Sequence, residues 1–368
     1  MKILYDHEIF GIQKYGGASR YFFEVIRNII KYPEVDVSVF AGFFTNEYGL
    51  ENYKKDFSRF FGFKYSEIPK TKMAMIKLNG FLLPGFLKKT NPDIYHQSYY
   101  GNFVKNFQGK RVVTVLDMTH EIFKDKGEFS SMDKTSEDKR IAVQNADGIV
   151  CISRSTQRDV IEILRVPEEK TRVIYLANSL TSKVNSQPLV EGKYLLYVAK
   201  RKGYKNFKLI LEAFKKSKTL IDNFKLVCVG GGPFTSDEKK LIDGSGVKET
   251  LYFSASDESL ANLYKYAFAL VYPSKYEGFG IPPLEAMSYD CPVITVNVSS
   301  IPEVVGDAGI YIDPDNPDEL ITAIESMLYD SGLRDDLISK GNKQKLKFSW
   351  DKCAAEHLQF YKELTGNG

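Results

Sequence analysis

Tryptophan and cysteine are scarce in this 368-residue chain, with one and four copies. Cys151, Cys228, Cys291 and Cys353 lie far apart and form no Cys-x-x-Cys pair. Three of them, Cys151, Cys228 and Cys291, stand in or beside apolar runs, so buried reduced thiols are expected rather than disulfides or a zinc site. Neither sign of charge dominates. Fifty Lys and Arg against 47 Asp and Glu leave a net +3, too little for a dedicated nucleic-acid binder. With 27 Gly and 14 Pro the chain is neither collagen-like nor low-complexity. No window reaches the roughly 18 uncharged apolar residues of a membrane-spanning helix. The opening MKILYDHEIF has no apolar stretch long enough for a signal peptide, so a cytoplasmic protein is expected.

What the chain does hold is apolar sequence, 43% of its positions, which excludes intrinsic disorder. At about 150 residues per domain, its length points to two domains. Short β-branched runs predict strands at 2–5, 35–40, 93–96, 111–116, 148–152, 171–175, 194–198, 225–229, 250–253, 269–272, 292–295 and 309–312. Longer amphipathic stretches predict helices at 18–32, 153–164, 206–217, 237–245, 257–266, 282–289, 317–329 and 331–346. Such alternation gives an α/β protein with parallel sheets covered on both faces. A dozen strands exceed one comfortable open sheet, so two doubly wound, Rossmann-like domains are expected, facing across a cleft. The polar, aperiodic segment 177–193 reads as the connector between domains 1–177 and 178–350.

The stretch 271–295, VYPSKYEGFGIPPLEAMSYDCPVIT, is the richest in chemistry. A strand ends near Tyr272, a loop holds Gly278 and Gly280, and a helix opens at Pro282-Pro283. Proline in a first helical turn gives up no hydrogen bond. The glycines let backbone approach a ligand, and free N–H groups of the turn attract an anion. Glu277 and Glu285 bracket the turn with seven residues between them. Carboxylates there suit sugar and ribose hydroxyls, which donate hydrogen bonds to them. The same residues also fit an ordinary turn with two solvated charges.

EGFGIPPLEAM resembles the Glu-x7-Glu signature of retaining glycosyltransferases of family 4, which have the two-domain GT-B fold. The resemblance places Glu277, Gly278, Phe279, Gly280, Ile281 and Glu285 around a nucleotide-sugar donor. A second stretch, YLLYVAKRKGYKNFKLILEAF at 194–214, is similar to the family's strand, basic loop and helix. It carries the diphosphate-gripping Arg and Lys onto Arg201 and Lys205, with Asn206 capping the helix. Cations there would stabilise a departing nucleoside diphosphate more than the bound donor. Lys200, Lys202 and Lys208 crowd the same segment as solvated charges, and Ala199 stands where the family often has Gly. The loops VCVGGGPF and FSASDESL would flank the base, whose identity stays open.

In the first half, DHEIFGIQKYGGASRY at 6–21 resembles the family's glycine-rich first loop, with Gly16 and Gly17 meeting the diphosphate or the transferred sugar. It is not a Gly-x-Gly-x-x-Gly fingerprint, which argues against a dehydrogenase. Arg20 either assists this loop or, the favoured reading, is a helix-surface charge. Asp117 and His120 follow a predicted strand end, and the resemblance implies an acceptor-side role for them. His96 ends another strand and fits equally a packed, hydrogen-bonded histidine. The segment 53–89 sets nine cations, Lys54, Lys55, Arg59, Lys64, Lys70, Lys72, Lys77, Lys88 and Lys89, against Asp56 and Glu67, with Phe57, Phe60, Phe61, Phe63 and Phe81 interleaved. It suits peripheral contact with the anionic inner face of a membrane, or simply a solvated helix and loop.

The resemblance implies hexose transfer, as in mannosyltransferases of bacterial polysaccharide and lipopolysaccharide assembly. The donor would be GDP- or UDP-linked and the acceptor a glycan or lipid-linked saccharide. Catalytic roles fall to Arg201, Lys205, Glu277, His120 and Asp117, and the segment 351–368 would be a helix packing back on the first domain. No cofactor is implied, and the chain is read as lacking an Asp-x-Asp metal-binding motif, so metal-independent chemistry is expected. Two alternatives remain: a non-catalytic nucleotide-sugar-binding partner, and a nucleotide-sugar 2-epimerase of the same fold.

Overall fold

The computed structural model describes residues 1–66, 71–101, 104, 107–124, 127–129, 133–201 and 203–366. The chain divides into two compact units, Met1–Ala177 with Phe348–Gly368, and Asn178–Lys347. Each is built on a parallel sheet. The first has strands β1 (Lys2–Tyr5), β2 (Asp36–Phe44), β3 (Arg59–Lys64), β4 (Ile94–Gln97), β5 (Lys110–Val115), β6 (Gly148–Cys151) and β7 (Thr171–Val173), in the order β3-β2-β1-β4-β5-β6-β7. The second has β8 (Tyr194–Val198), β9 (Lys225–Val229), β10 (Thr250–Phe253), β11 (Ala269–Tyr272), β12 (Val293–Val296) and β13 (Gly309–Ile312), in the order β10-β9-β8-β11-β12-β13.

The central strands are apolar without alternation because helices cover both faces. β11, Ala-Leu-Val-Tyr, is buried at every position, and β6 and β12 likewise. In the second unit the core gathers Leu195, Tyr197, Phe214, Leu226, Val271 and Ile294 between sheet and helices. In each sheet the strand order reverses once: β1 lies beside β4, and β8 beside β11. Open parallel sheets bind ligands at the carboxyl ends of such neighbours, so the loops after β8 and β11 are where a site is to be sought.

Inside 53–89 the chain forms an edge strand, which was not expected, and a helix. β3 is an edge strand whose Phe61 stacks on Phe40 at 5.2 Å, while Phe63 stays 57% exposed. The helix Lys72–Thr90 has a weak apolar stripe, burying Leu83 and Leu87 against Phe40 and Tyr95, and one polar side chain also pins it. Asn79, fully buried, accepts from Phe43 N at 2.7 Å and donates to Phe43 O at 3.0 Å, replacing strand partners beside the bulge at Gly42. Gly42 has φ +59°, and a Cβ there would lie 2.4 Å from Asn79 Oδ1, so the register needs glycine. Glu67 and Lys70 of this segment fall outside the described residues. Short helices at Glu8–Ile12 and Thr135–Gln144 were also unforeseen.

The helix Trp350–Thr365 belongs to the first unit and packs on the helix Gly17–Ile29. A buried polar network ties it down. Tyr361 shares hydrogen bonds with Tyr5 at 3.0 Å and His96 Nδ1 at 2.5 Å, and His357 Nε2 meets Tyr21 at 2.8 Å. His96 also meets Thr114 at 2.8 Å and is fully buried, so of its two readings the structure has the packed one. All four cysteines are free and buried, and burial raises each thiol far enough to keep it unreactive. Among the described residues no helix is long and apolar enough to cross a membrane.

Candidate functional site

In the second unit, the end of β11 and the loops after β8 and β11 bring two donors, one predicted and one not, onto one carboxylate oxygen. Lys205 Nζ and the Tyr272 hydroxyl both donate to Glu277 Oε1, each at 2.6 Å. The ion pair is mostly shielded, with the two side chains 18% and 11% exposed. Tyr197 braces the Lys205 loop by donating to the carbonyls of Lys200 and Lys205 at 2.8 and 3.2 Å. Lys275 N donates to Tyr204 O at 2.8 Å and ties the two loops directly.

The loop carrying Glu277 is held from below. Glu277 N donates to Ser299 Oγ at 2.9 Å, while Ser300 Oγ donates to the carbonyls of Glu277 and Phe279 at 2.8 and 2.7 Å. Gly278, Phe279 and Gly280 are buried and Ile281 half-buried. Gly280, at φ +119°, caps the helix Ile281–Ser288. Pro282 and Pro283 lack N–H groups, so this turn offers an anion fewer donors than its position alone implied. Glu285 sits on the second turn, 8% exposed, its Oε2 accepting from the buried Tyr264 hydroxyl at 2.9 Å. Burial first, then the Glu285 charge, pushes the Tyr264 phenol well above its ordinary value, and burial with Glu277 does the same for Tyr272. Both therefore stay protonated donors.

Two basic-loop expectations change. Asn206 does not cap its helix through its side chain: it adopts φ +58° and donates Nδ2 to Pro314 O at 2.7 Å. Arg201 departs from the expectation of a guanidinium open to a diphosphate. Its side chain is fully buried and donates to Glu238 and to carbonyls of the glycine run after β9. Tyr264, Tyr272, Ser299, Ser300 and Glu238 were missed; Tyr272 alone was quoted in the motif, as a strand end.

In the first unit, Gly16 and Gly17 begin the helix Gly17–Ile29, with Gly16 N donating to Tyr48 OH at 3.1 Å. Arg20 lies over the Tyr48 ring at 4.8 Å. Asp117 Oδ1 accepts from Thr119 N at 2.9 Å, closing its own turn. The nearly buried Lys139 clamps that turn, donating at 2.8 Å to both Asp117 O and Glu121 Oε2. His120 lies 3.4 Å from Asp133 and stacks on Phe129, in the wall of a cavity of about 630 Å³ that also includes Glu121, Arg140 and Leu164. Asp117, before the short helix Thr119–Ile122, and His120, within it, thus have separate partners.

One Asp-x-Asp string does occur, Asp313-Pro314-Asp315, and it serves a turn after β13: Asp315 N donates to Asp313 Oδ1 at 2.8 Å and Asp315 pairs with Lys275. Among the described residues no group of three or more His, Cys, Asp or Glu is placed to hold a metal ion.

Two parallel-sheet α/β units of this topology have the GT-B-type architecture, and comparison with known proteins agrees. Residues 15–177 match the family model Glycosyltransferase Family 4, and residues 181–344 match Glycosyl transferases group 1. The chain belongs to this glycosyltransferase family. The O-antigen chain mannosyltransferase B of Escherichia coli is 31% identical over 238 residues, 61% of this chain and 62% of that protein. The match therefore spans about three fifths of the relative's own length. Sucrose-phosphate synthase from Thermosynechococcus elongatus shares the fold with a TM-score of 0.78 at 18% identity, over 100% of both chains. Anabaena HepE, solved in complex with UDP-glucose, has a TM-score of 0.71 at 16% identity, over 99% of this chain and 100% of that one.

Proposed function

We propose that this chain is a retaining hexosyltransferase, moving mannose or a related hexose from a GDP- or UDP-linked donor to a glycan or lipid-linked saccharide in cell-surface polysaccharide synthesis. The observation that carries the reading is the convergence of Lys205, Tyr272 and Glu277 in the loops after β8 and β11, with Glu285 on the adjoining helix. Family membership and the mannosyltransferase relative support it. Glu277 orients the donor sugar, Glu285 the ribose, and Lys205 offsets the diphosphate.

In the reaction, the acceptor hydroxyl oxygen bonds to the anomeric carbon on the face from which the nucleotide leaves. The bond from that carbon to the phosphate oxygen breaks with its electron pair on the phosphate, which takes the hydroxyl proton. The products are a glycoside of unchanged anomeric configuration and a nucleoside diphosphate. Lys205 meets charge that grows on the leaving group, so its attraction rises toward the transition state. No step needs a metal or a protein nucleophile. A lipid-linked acceptor also accords with peripheral membrane contact through the basic, aromatic segment 53–89.

The test is incubation with UDP- and GDP-hexoses and saccharide acceptors, with and without EDTA, and product analysis by NMR. Expected are a glycoside of retained configuration, no loss with EDTA, and roughly a hundredfold lower rate for Glu277→Ala. An epimerised nucleotide sugar, an inverted product, or unchanged transfer by Glu277→Ala would refute the assignment.

A further inference from the structure

Every nitrogen of the Arg201 guanidinium is engaged. Nε donates to Glu238 Oε1 at 3.1 Å, Nη1 to Gly230 O at 2.5 Å, and Nη2 to Gly232 O at 2.6 Å. The guanidinium also lies 4.7 Å from the ring centre of Phe234 and 5.5 Å from that of Tyr252. None of the side chain is exposed. Glycines 230, 231 and 232 all have positive φ, at 91°, 75° and 78°. A Cβ on Gly231 would lie 3.2 Å from Nη1, so the loop is wrapped onto the guanidinium as closely as backbone allows.

Glu238 is fixed in turn. Its carboxylate accepts from Thr235 N at 2.7 Å and its own N–H donates to Thr235 Oγ1 at 3.2 Å, a complete capping box at the helix Ser236–Asp243. Burial alone would raise the Glu238 carboxyl, but the Thr235 amide and the Arg201 guanidinium outweigh it and hold the group below its ordinary value. A planar, five-donor cation with a fixed anionic partner makes a rigid template.

We propose that Arg201 is a positioning residue: the Arg201–Glu238 pair templates the loop 230–234 at the carboxyl end of β9 and acts on the donor nucleotide through that loop, without touching the diphosphate. In a trans peptide the carbonyl and the following N–H point oppositely. With Gly230 O turned onto Arg201, the Gly231 N–H faces away from the guanidinium, as a donor for a ligand. Removing either partner lets three glycines, the residues with most backbone freedom to regain, escape this arrangement. The proposal rests on the donor-site reading above, which Lys205 tests separately.

The experiment titrates UDP, UMP, GDP and GMP into the full chain and its Arg201→Met, Arg201→Lys, Glu238→Gln and Lys205→Ala variants. The first three variants are expected to weaken diphosphate and monophosphate of the bound base by a common factor, about tenfold, leaving their ratio unchanged. Lys205→Ala is expected to shrink that ratio. Amide exchange over 229–235, read without ligand, should accelerate in Arg201→Met and Glu238→Gln alike. The proposal is overturned if Arg201→Met shrinks the diphosphate preference while Arg201→Lys keeps it, or if exchange in the loop is unaltered. Absence of binding by the parent to all four nucleotides counts against the donor site itself, and the exchange rates still decide the loop's dependence on Arg201.

Discussion

Glu277 and Glu285 each accept a hydrogen bond from a buried tyrosine, Tyr272 at 2.6 Å and Tyr264 at 2.9 Å. The terminal torsion of a glutamate is broad, so one anchored oxygen fixes where the carboxylate faces. A hydroxyl bonded to a charged group contributes about 1.5–3 kcal/mol when buried. Tyr264→Phe should therefore loosen Glu285 without opening a cavity. Affinity for UDP or GDP is expected to fall about tenfold, while that for the 2′,3′-dideoxy analogue, which has no ribose hydroxyls to present, changes little. Calorimetry with both ligands reads the difference; equal weakening of both would show that Tyr264 only packs. The glutamates were legible because a spacing of seven residues on a Gly-Pro turn is local. Tyr264, on the helix Asp257–Tyr266, was not legible, since only packing of that helix against Ile281–Ser288 brings it to Glu285. Arg201 failed differently: its place in the loop was read correctly, but its direction depends on Glu238, 37 positions away.

At the scale of elements, strands buried on both faces were the easiest to read, because an unbroken apolar run has one explanation. The edge was harder. β3 is half-exposed along its length, and the helix Lys72–Thr90 is held by Asn79 as much as by Leu83 and Leu87, so neither shows a clear period. What periodicity hid, exposure reveals: Phe81 is 81% exposed, Met73 62% and Leu78 39%, at spacings of a helix face shared with Lys77. Exposed large apolar side chains among cations fit an anionic lipid surface, where each lysine contributes about 1 kcal/mol. Cosedimentation with phosphatidylglycerol vesicles should be lost in the triple variant Met73→Ser, Leu78→Ser, Phe81→Ser. Neutralising Lys72 and Lys77 should weaken it and remove its salt dependence. Absence of binding by the parent, or equal binding by the triple variant, would leave this face an ordinary solvated one.

For the molecule as a whole, the first unit is closed by residues from the far end of the chain. The buried part of this closure is polar and neutral, while ion pairs of Asp351 with Lys31, Lys362 with Glu34 and Glu363 with Arg172 lie at its edge. His357 Nδ1 donates to Cys353 O at 2.8 Å, so Nε2 accepts from Tyr21, and no acid stands among these partners to welcome a proton. Burial lowers the His357 imidazole from 6.5 to about 4 and, with the neighbouring His357, pushes His96 well below 6.5. A depressed histidine contributes its stability above its unfolded value and loses it as pH falls from there toward the folded value. The window is therefore pH 6.5 down to about 4, and His357 alone should remove about 2 kcal/mol between pH 7 and pH 5. Trp350, the single tryptophan, starts the closing helix with its ring 6.3 Å from Tyr21, so its fluorescence reports this docking and little else. In urea titrations followed by Trp350, the midpoint should fall steeply from pH 7 to pH 5. In His357→Gln, which starts less stable but has no imidazole to protonate there, the fall should be markedly shallower. Parallel curves for parent and variant would mean that acid acts elsewhere, on carboxylates, and that the Tyr21–His357 contact plays no part in the pH dependence of the closure.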